Sequence, residues 1–129
     1  MTFRFSNTSL VRRANIDKRL VEISSLALEL TVVDFGVPQY GGLRSAIEQR
    51  ELYDAERSNC DGTVKISNHQ TGKALDVYAY VDGKASWDRY DLSMVAAAML
   101  QAASMLGYKL NWGGLWTKFK DYPHFELVD

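Results

Sequence analysis

Residues 63–83 read TVKISNHQTGKALDVYAYVDG. The pattern predicts strand from Thr63 to Val81, interrupted at Gly72, with Asp82-Gly83 as a hairpin turn. Toward the C-terminus, Asp91 or Ser93 is expected to start a helix. Leu92, Val95, Ala98, Met99, Ala102 and Leu106 share one face of it, and Gly107 is its C-cap. Tyr108 to Trp112 returns to strand character, Gly113-Gly114 turns the chain, and Phe125 to Val128 forms a last short strand. Toward the N-terminus, Ser45 and Glu48 make a capping box for a helix running through Arg57. Thr31 to Val37 predicts a short strand ended by Pro38 and Gly41-Gly42. Asn15 reads as the cap of an earlier helix from Ile16, with Asp17 in its first turn. Leu20, Ile23, Leu26, Ala27 and Leu30 then recur at helical spacing. Helices and antiparallel strands mix without a βαβ rhythm, so the expected class is α+β, a small antiparallel sheet flanked by about three helices.

A chain of 129 residues supports one domain with a real core, expected to span 1–129. Apolar residues at 47% and charged residues at 24% exclude the disordered and fibrous classes. The 15 Lys and Arg are scattered among 16 Asp and Glu, for a net charge of −1. With no basic stripe, a strong grip on nucleic acid or anionic lipid is not expected. Cys60 is the single cysteine, which excludes an internal disulfide and a Cys-only zinc site. It lies in a polar loop with no histidine near it in sequence, so it reads as a spare thiol. Met1 to Arg13 lacks the apolar centre of a secretory signal. Val95 to Leu106, the longest nearly apolar run, is too short to span a bilayer and contains Gln101. The expectation is a protein made in the cytoplasm without stable membrane association.

The two histidines, His69 and His124, both lie outside apolar periodic stripes. Each has carboxylates nearby, Asp76 for one and Asp121 and Glu126 for the other, and a Gly or Pro that constrains the backbone. Two imidazoles and one carboxylate suit zinc, and three protein ligands leave a fourth position for water. On an unbroken strand His69 and Asp76, seven residues apart, would face opposite sides. A break at Gly72 would let them converge. Asp121 and His124 are three apart across Pro123, so a tight turn can aim both inward, with Asp121 beside the metal as a general base. The residues alone leave open the alternative of surface histidines in loops with capping aspartates.

Ser67-x-His69-x-x-Gly72-x-Ala74-x-Asp76 followed by Asp121-x-Pro123-His124-Phe125-Glu126 resembles the paired signature of the D-Ala-D-Ala metallopeptidase group. That group, of LAS-type fold, includes D,D-carboxypeptidases, D-alanyl-D-alanine dipeptidases and phage L-alanyl-D-glutamate endopeptidases. Gly42-Leu43-Arg44-Ser45 through Gln49 resembles its upstream arginine-bearing segment, and Trp112-Gly113-Gly114-Leu115-Trp116 resembles the Trp-Gly-Gly-Asp-Trp stretch of the phage enzymes. Leu115 departs from that pattern. The resemblance implies one zinc ion on His69, Asp76 and His124, carried by the sheet, with Asp121 as catalytic base. It implies Arg44 as the cation that steadies the oxyanion, a role suited to a permanently charged guanidinium. Ser67, Gln49 and Glu126 are candidates to support these groups or to touch substrate, Glu126 through the second ring nitrogen of His124. Trp112 and Trp116 read as core packing first and cleft walls second.

The function so implied is an endolysin that hydrolyses the L-alanyl-D-glutamate bond of peptidoglycan stem peptides during phage-induced lysis. It would act as a monomer in the periplasm after a holin opens the membrane, with no separate wall-binding domain. A D,D-carboxypeptidase or dipeptidase with the same site is the first alternative. A noncatalytic zinc-dependent wall-binding module is the second, and the presence of Asp121 beside a full ligand set argues against it.

Overall fold

A computed structural model describes residues 3–129. Among them, four helices and two three-stranded antiparallel sheets form an α+β fold. The elements in order are α1 (Asn7–Arg13), α2 (Lys18–Leu30), β1 (Asp34–Gly36), α3 (Ala46–Asp54), β2 (Ala74–Asp76), β3 (Tyr78–Val81), β4 (Lys84–Ser86), α4 (Arg89–Leu106), β5 (Leu110–Trp112), a 3₁₀ turn (Gly113–Leu115) and β6 (His124–Leu127). No helix among the described residues is long and apolar enough to cross a membrane.

The core forms where α2 packs on α4. Leu20, Ile23 and Ala27 from α2 and Leu92, Val95, Met99 and Ala102 from α4 are buried, with Leu75, Val77, Ala79 and Phe125 from the sheets. Each large side chain buried there contributes roughly 1.5–3 kcal/mol. The helix ends follow from local chemistry. Asp17 caps α2 by accepting the Arg19 N–H, so α2 begins after Asp17 and not at Ile16. Asp88 caps α4 by accepting the Tyr90 and Asp91 N–H groups, which starts that helix ahead of Asp91 or Ser93. Gly107 ends it in the left-handed region at φ 78°. The Ser45–Glu48 capping box forms as expected, but α3 stops at Asp54, and Glu56 turns the chain with φ 59°.

Two expectations are corrected. The segment from Thr63 to Thr71 is not strand. Asp61 Oδ1 accepts the backbone N–H groups of Thr63, Val64 and Lys65, and this local turn outcompetes the β-branched pattern. The remaining strand run is divided between two sheets, ordered β1-β3-β4 and β2-β6-β5. The chain changes sheet at Val77, whose N–H donates to the Pro123 carbonyl. In the second sheet Asp76 lies directly across from His124, and Ala74 across from Glu126. Alternation along β6 puts His124 and Glu126 on one face, which is the face of Asp76.

Candidate metal centre and catalytic cleft

His69 comes from a tight turn, not from a strand. Its N–H donates to Ser67 Oγ, and its carbonyl accepts the Arg44 N–H at 3.1 Å. Its ring is buried and 5.2 Å from that of His124. His69 Nε2 lies 3.2 Å and His124 Nδ1 3.0 Å from the same oxygen, Oδ1 of Asp76. The three ligand atoms lie within 4.8 Å of one another. Each ring's other nitrogen is also engaged. His69 Nδ1 sits 3.0 Å from the Gly42 carbonyl oxygen, and His124 Nε2 sits 2.8 Å from Glu126 Oε1. Both outer atoms are acceptors, so a neutral ring with its N–H directed outward would offer the lone pair of its inner nitrogen to a metal. That donor set fits a zinc ion.

The surrounding backbone explains one glycine of each Gly-Gly pair. A Cβ on Gly42 would collide with the Arg12 carbonyl, so only glycine lets its own carbonyl reach His69. A Cβ on Gly113 would collide with the Asp121 carbonyl oxygen, and the Asp121 N–H donates to the Gly113 carbonyl at 3.0 Å. Trp112 Nε1 donates to the Tyr122 carbonyl, and the His124 N–H donates to the Asp121 carbonyl. The turn across Pro123 is therefore held from two sides. It presents Asp121 to the cleft with a carboxylate that accepts no hydrogen bond from the described residues.

Charge in the site is arranged unevenly. Burial opposes ionisation of Asp76, but His69 and His124 outweigh it and hold the carboxyl well below the usual range. Burial works against a charged His124, yet its hydrogen bonds to Asp76 and Glu126 prevail and raise it to about 9. Burial, with the Asp76 charge beside it, pushes Asp121 up. A base at neutral pH gains proton affinity from that shift.

Arg44 enters from the segment before α3, and its side chain is 11% exposed. Its Nε donates to the Tyr40 carbonyl, one Nη to Gln49 Oε1 and the other to Asp76 Oδ2 at 3.2 Å. Three of its five N–H groups are thus spoken for, and two remain. Gln49 is fully buried, and its Nε2 donates to Ser58 Oγ and the Cys60 carbonyl. It ties Arg44 to the loop after α3, a role that no periodicity could reveal. Ser67 builds the His69 turn and also lines the cleft. Glu126 orients His124, and Asn68 Nδ2 donates to its second oxygen. Trp116 packs 5.3 Å from the His124 ring and lines the cleft, whereas Trp112 stacks on Phe125 toward the core. Cys60 lines the same cleft, but both histidine rings are engaged elsewhere and none bonds its thiol. The cleft encloses about 850 Å³ and contains the three ligands, Arg44 and Asp121 together.

The family model for phage L-alanyl-D-glutamate peptidase matches residues 1–128. The chain belongs to that family. It is 32% identical over 128 residues to the L-alanyl-D-glutamate peptidase of Escherichia phage T5, covering 98% of this chain and 90% of that protein. It is 36% identical over 98 residues to the peptidoglycan L-alanyl-D-glutamate endopeptidase CwlK of Bacillus subtilis (strain 168), covering 67% of this chain and 58% of that one. The crystal structure of Serratia marcescens L-Ala D-Glu endopeptidase ChiX matches with a TM-score of 0.85 and 36% identity, over 98% of this chain and 91% of that one. The α+β architecture expected from the sequence is the fold of that enzyme.

Proposed function

We propose that the chain is a zinc-dependent peptidoglycan endopeptidase that hydrolyses the L-alanyl-D-glutamate bond of stem peptides during phage lysis. The observation that carries this reading is the convergence of His69 Nε2, Asp76 Oδ1 and His124 Nδ1, with each histidine's other nitrogen already held. His69, Asp76 and His124 would hold a zinc ion, which would supply Lewis acidity and make water a better nucleophile at neutral pH. Asp121 takes the proton from the attacking water on its unpartnered carboxylate and returns it to the leaving amine nitrogen. Arg44 offers its two remaining N–H groups to the oxygen that gains charge as the carbonyl carbon becomes tetrahedral. Its bonds to Tyr40 and Gln49 fix the guanidinium in advance, so little reorganisation is needed during the reaction.

The family and the peptidoglycan-directed relatives support the choice of bond. Release from the cytoplasm by a holin belongs to the same proposal. The test is mass spectrometry of purified peptidoglycan digested with the zinc-loaded protein. Fragments with a new N-terminal D-glutamate are expected. Release of terminal D-alanine with L-Ala–D-Glu bonds intact would establish a carboxypeptidase instead.

A further inference from the structure

The cleft mouth carries an aromatic side chain for which the catalytic apparatus has no use. Trp87 lines the same cleft as the three ligands, yet it is 55% exposed. An indole half in water gains by burial against any ligand that enters the cleft beside it. Its backbone is held on both sides. Ser86 ends β4 and donates from Oγ to Asp91 Oδ2 at 2.7 Å, and Asp88 caps α4. Behind the indole stands the Tyr78 ring, 6.1 Å away and tilted by 50°. The Trp87 indole N–H donates to no described residue, whereas that of Trp112 does. The result is an exposed indole face in the cleft with a free donor at its edge.

The substrate in the proposed reaction supplies the partner. The L-alanine of a stem peptide is joined through its nitrogen to the lactyl group of muramic acid. An extended residue spans at most roughly 3.6 Å, so one alanine and the lactyl ether keep the sugar within roughly 10 Å of the scissile carbonyl. A peptidase that cuts after that alanine must therefore admit the glycan strand at its mouth. A pyranose ring presents a face of C–H groups to an aromatic ring, and its hydroxyl and N-acetyl oxygens accept an indole N–H.

We propose that Trp87 is a glycan platform, on which an N-acetylated sugar of the strand stacks while the peptide lies in the cleft. This rests on the endopeptidase reading and extends it to the sugar. Such a platform makes the enzyme prefer bonds still attached to glycan over the same bonds in free peptide.

The test compares kcat/KM for a disaccharide-linked stem peptide with that for the same peptide lacking the sugar. The wild-type ratio favours the linked substrate. Trp87→Ala lowers that ratio roughly three- to tenfold, the range expected for loss of one stacking contact. Trp87→Tyr retains most of it, and Trp87→Leu, apolar but not aromatic, does not. A ratio unchanged in Trp87→Ala would overturn the proposal, and that includes equal losses on both substrates. A second measurement needs no turnover. Glycan strands stripped of peptide are titrated into protein labelled with ¹⁵N at its indoles, and the resonance that disappears in Trp87→Ala is expected to shift. If it stays still while the strands are in excess, the platform is refuted. Should the wild type cleave neither substrate, the endopeptidase reading falls and the titration still decides the role of Trp87.

Discussion

Truncating Glu126 probes how the metal centre is tuned, because Glu126 acts on His124 in two opposing ways. Its Oε1 accepts His124 Nε2–H at 2.8 Å, which orients the ring and makes Nδ1 a better ligand. The same contact helps hold a proton on the metal-free ring, which titrates at about 9. At pH 7 zinc must displace that proton, at about 1.4 kcal/mol per unit, or roughly 3 kcal/mol and a hundredfold in affinity. Near pH 9 this competition has largely gone. Removing the supporting acceptor from a ligating histidine costs roughly 10- to 100-fold in metal affinity. In Glu126→Ala that loss should appear in full near pH 9. At pH 7 it should be smaller, because the competing proton is also held less tightly. Glu126→Gln keeps an acceptor but loses the charge, and should fall between. Competition between apoprotein and a chelator of known zinc affinity, at both pH values, measures the series. If Glu126→Ala bound zinc as tightly as wild type at both pH values, or lost most affinity at pH 7, the reasoning would fail.

Three further outcomes are expected. Asp121→Asn should lower kcat by roughly 10²- to 10⁴-fold while zinc content by mass spectrometry stays at one per chain; unchanged turnover would remove Asp121 from its role. Gln49→Leu strips partners from Arg44, Ser58 Oγ and the Cys60 carbonyl. Stability should fall by about 2–4 kcal/mol, or roughly 10 °C in a thermal melt, and a shift below about 2 °C would contradict the buried bridge. Asp17 is held at about 2, chiefly by its hydrogen bond to Arg19. Its folded pKa lies below its unfolded one, so the stability it adds is present above about pH 4 and is lost as pH falls toward 2. Asp17→Asn keeps the helix cap, so in urea melts it should trail wild type at pH 6 by under about 1 kcal/mol and match it near pH 2. A gap that persisted at low pH would contradict the assignment.

The legible parts of this fold are those where one local rule decides the outcome. Ser45 with Glu48 and the apolar face ending at Gly107 are such cases, and α3 and α4 form largely where those signals stand. Helix α1 is not legible in the sequence because its amphipathic pattern is inverted. Ser9 and Arg13 are buried while Val11 is 74% exposed. Arg13 is accommodated because its Nη1 donates to the Val21 carbonyl and the Ser24 and Ser25 hydroxyls, partners that no pattern in residues 7–13 announces. The division of the Ala74–Val81 run between two sheets was equally hidden, since strands of three or four residues carry too little alternation to specify their neighbours. Within the site, residue type and spacing made a convergence of His69, Asp76 and His124 one of two readings, and the ligand atoms of these three do lie within 4.8 Å of one another, although His69 reaches the cluster from a turn. Arg44 was placed at the site but without its anchors, because the Tyr40 carbonyl and the Asp76 Oδ2 contact exist only once the chain is folded.

The most direct measurement is anomalous diffraction at the zinc absorption edge from crystals of the protein. One peak is predicted per chain, about 2.0–2.2 Å from His69 Nε2, Asp76 Oδ1 and His124 Nδ1, with Glu126 still bonded to His124 Nε2. A protein that binds no zinc there, or binds it through His124 Nε2 and Glu126, would contradict the account.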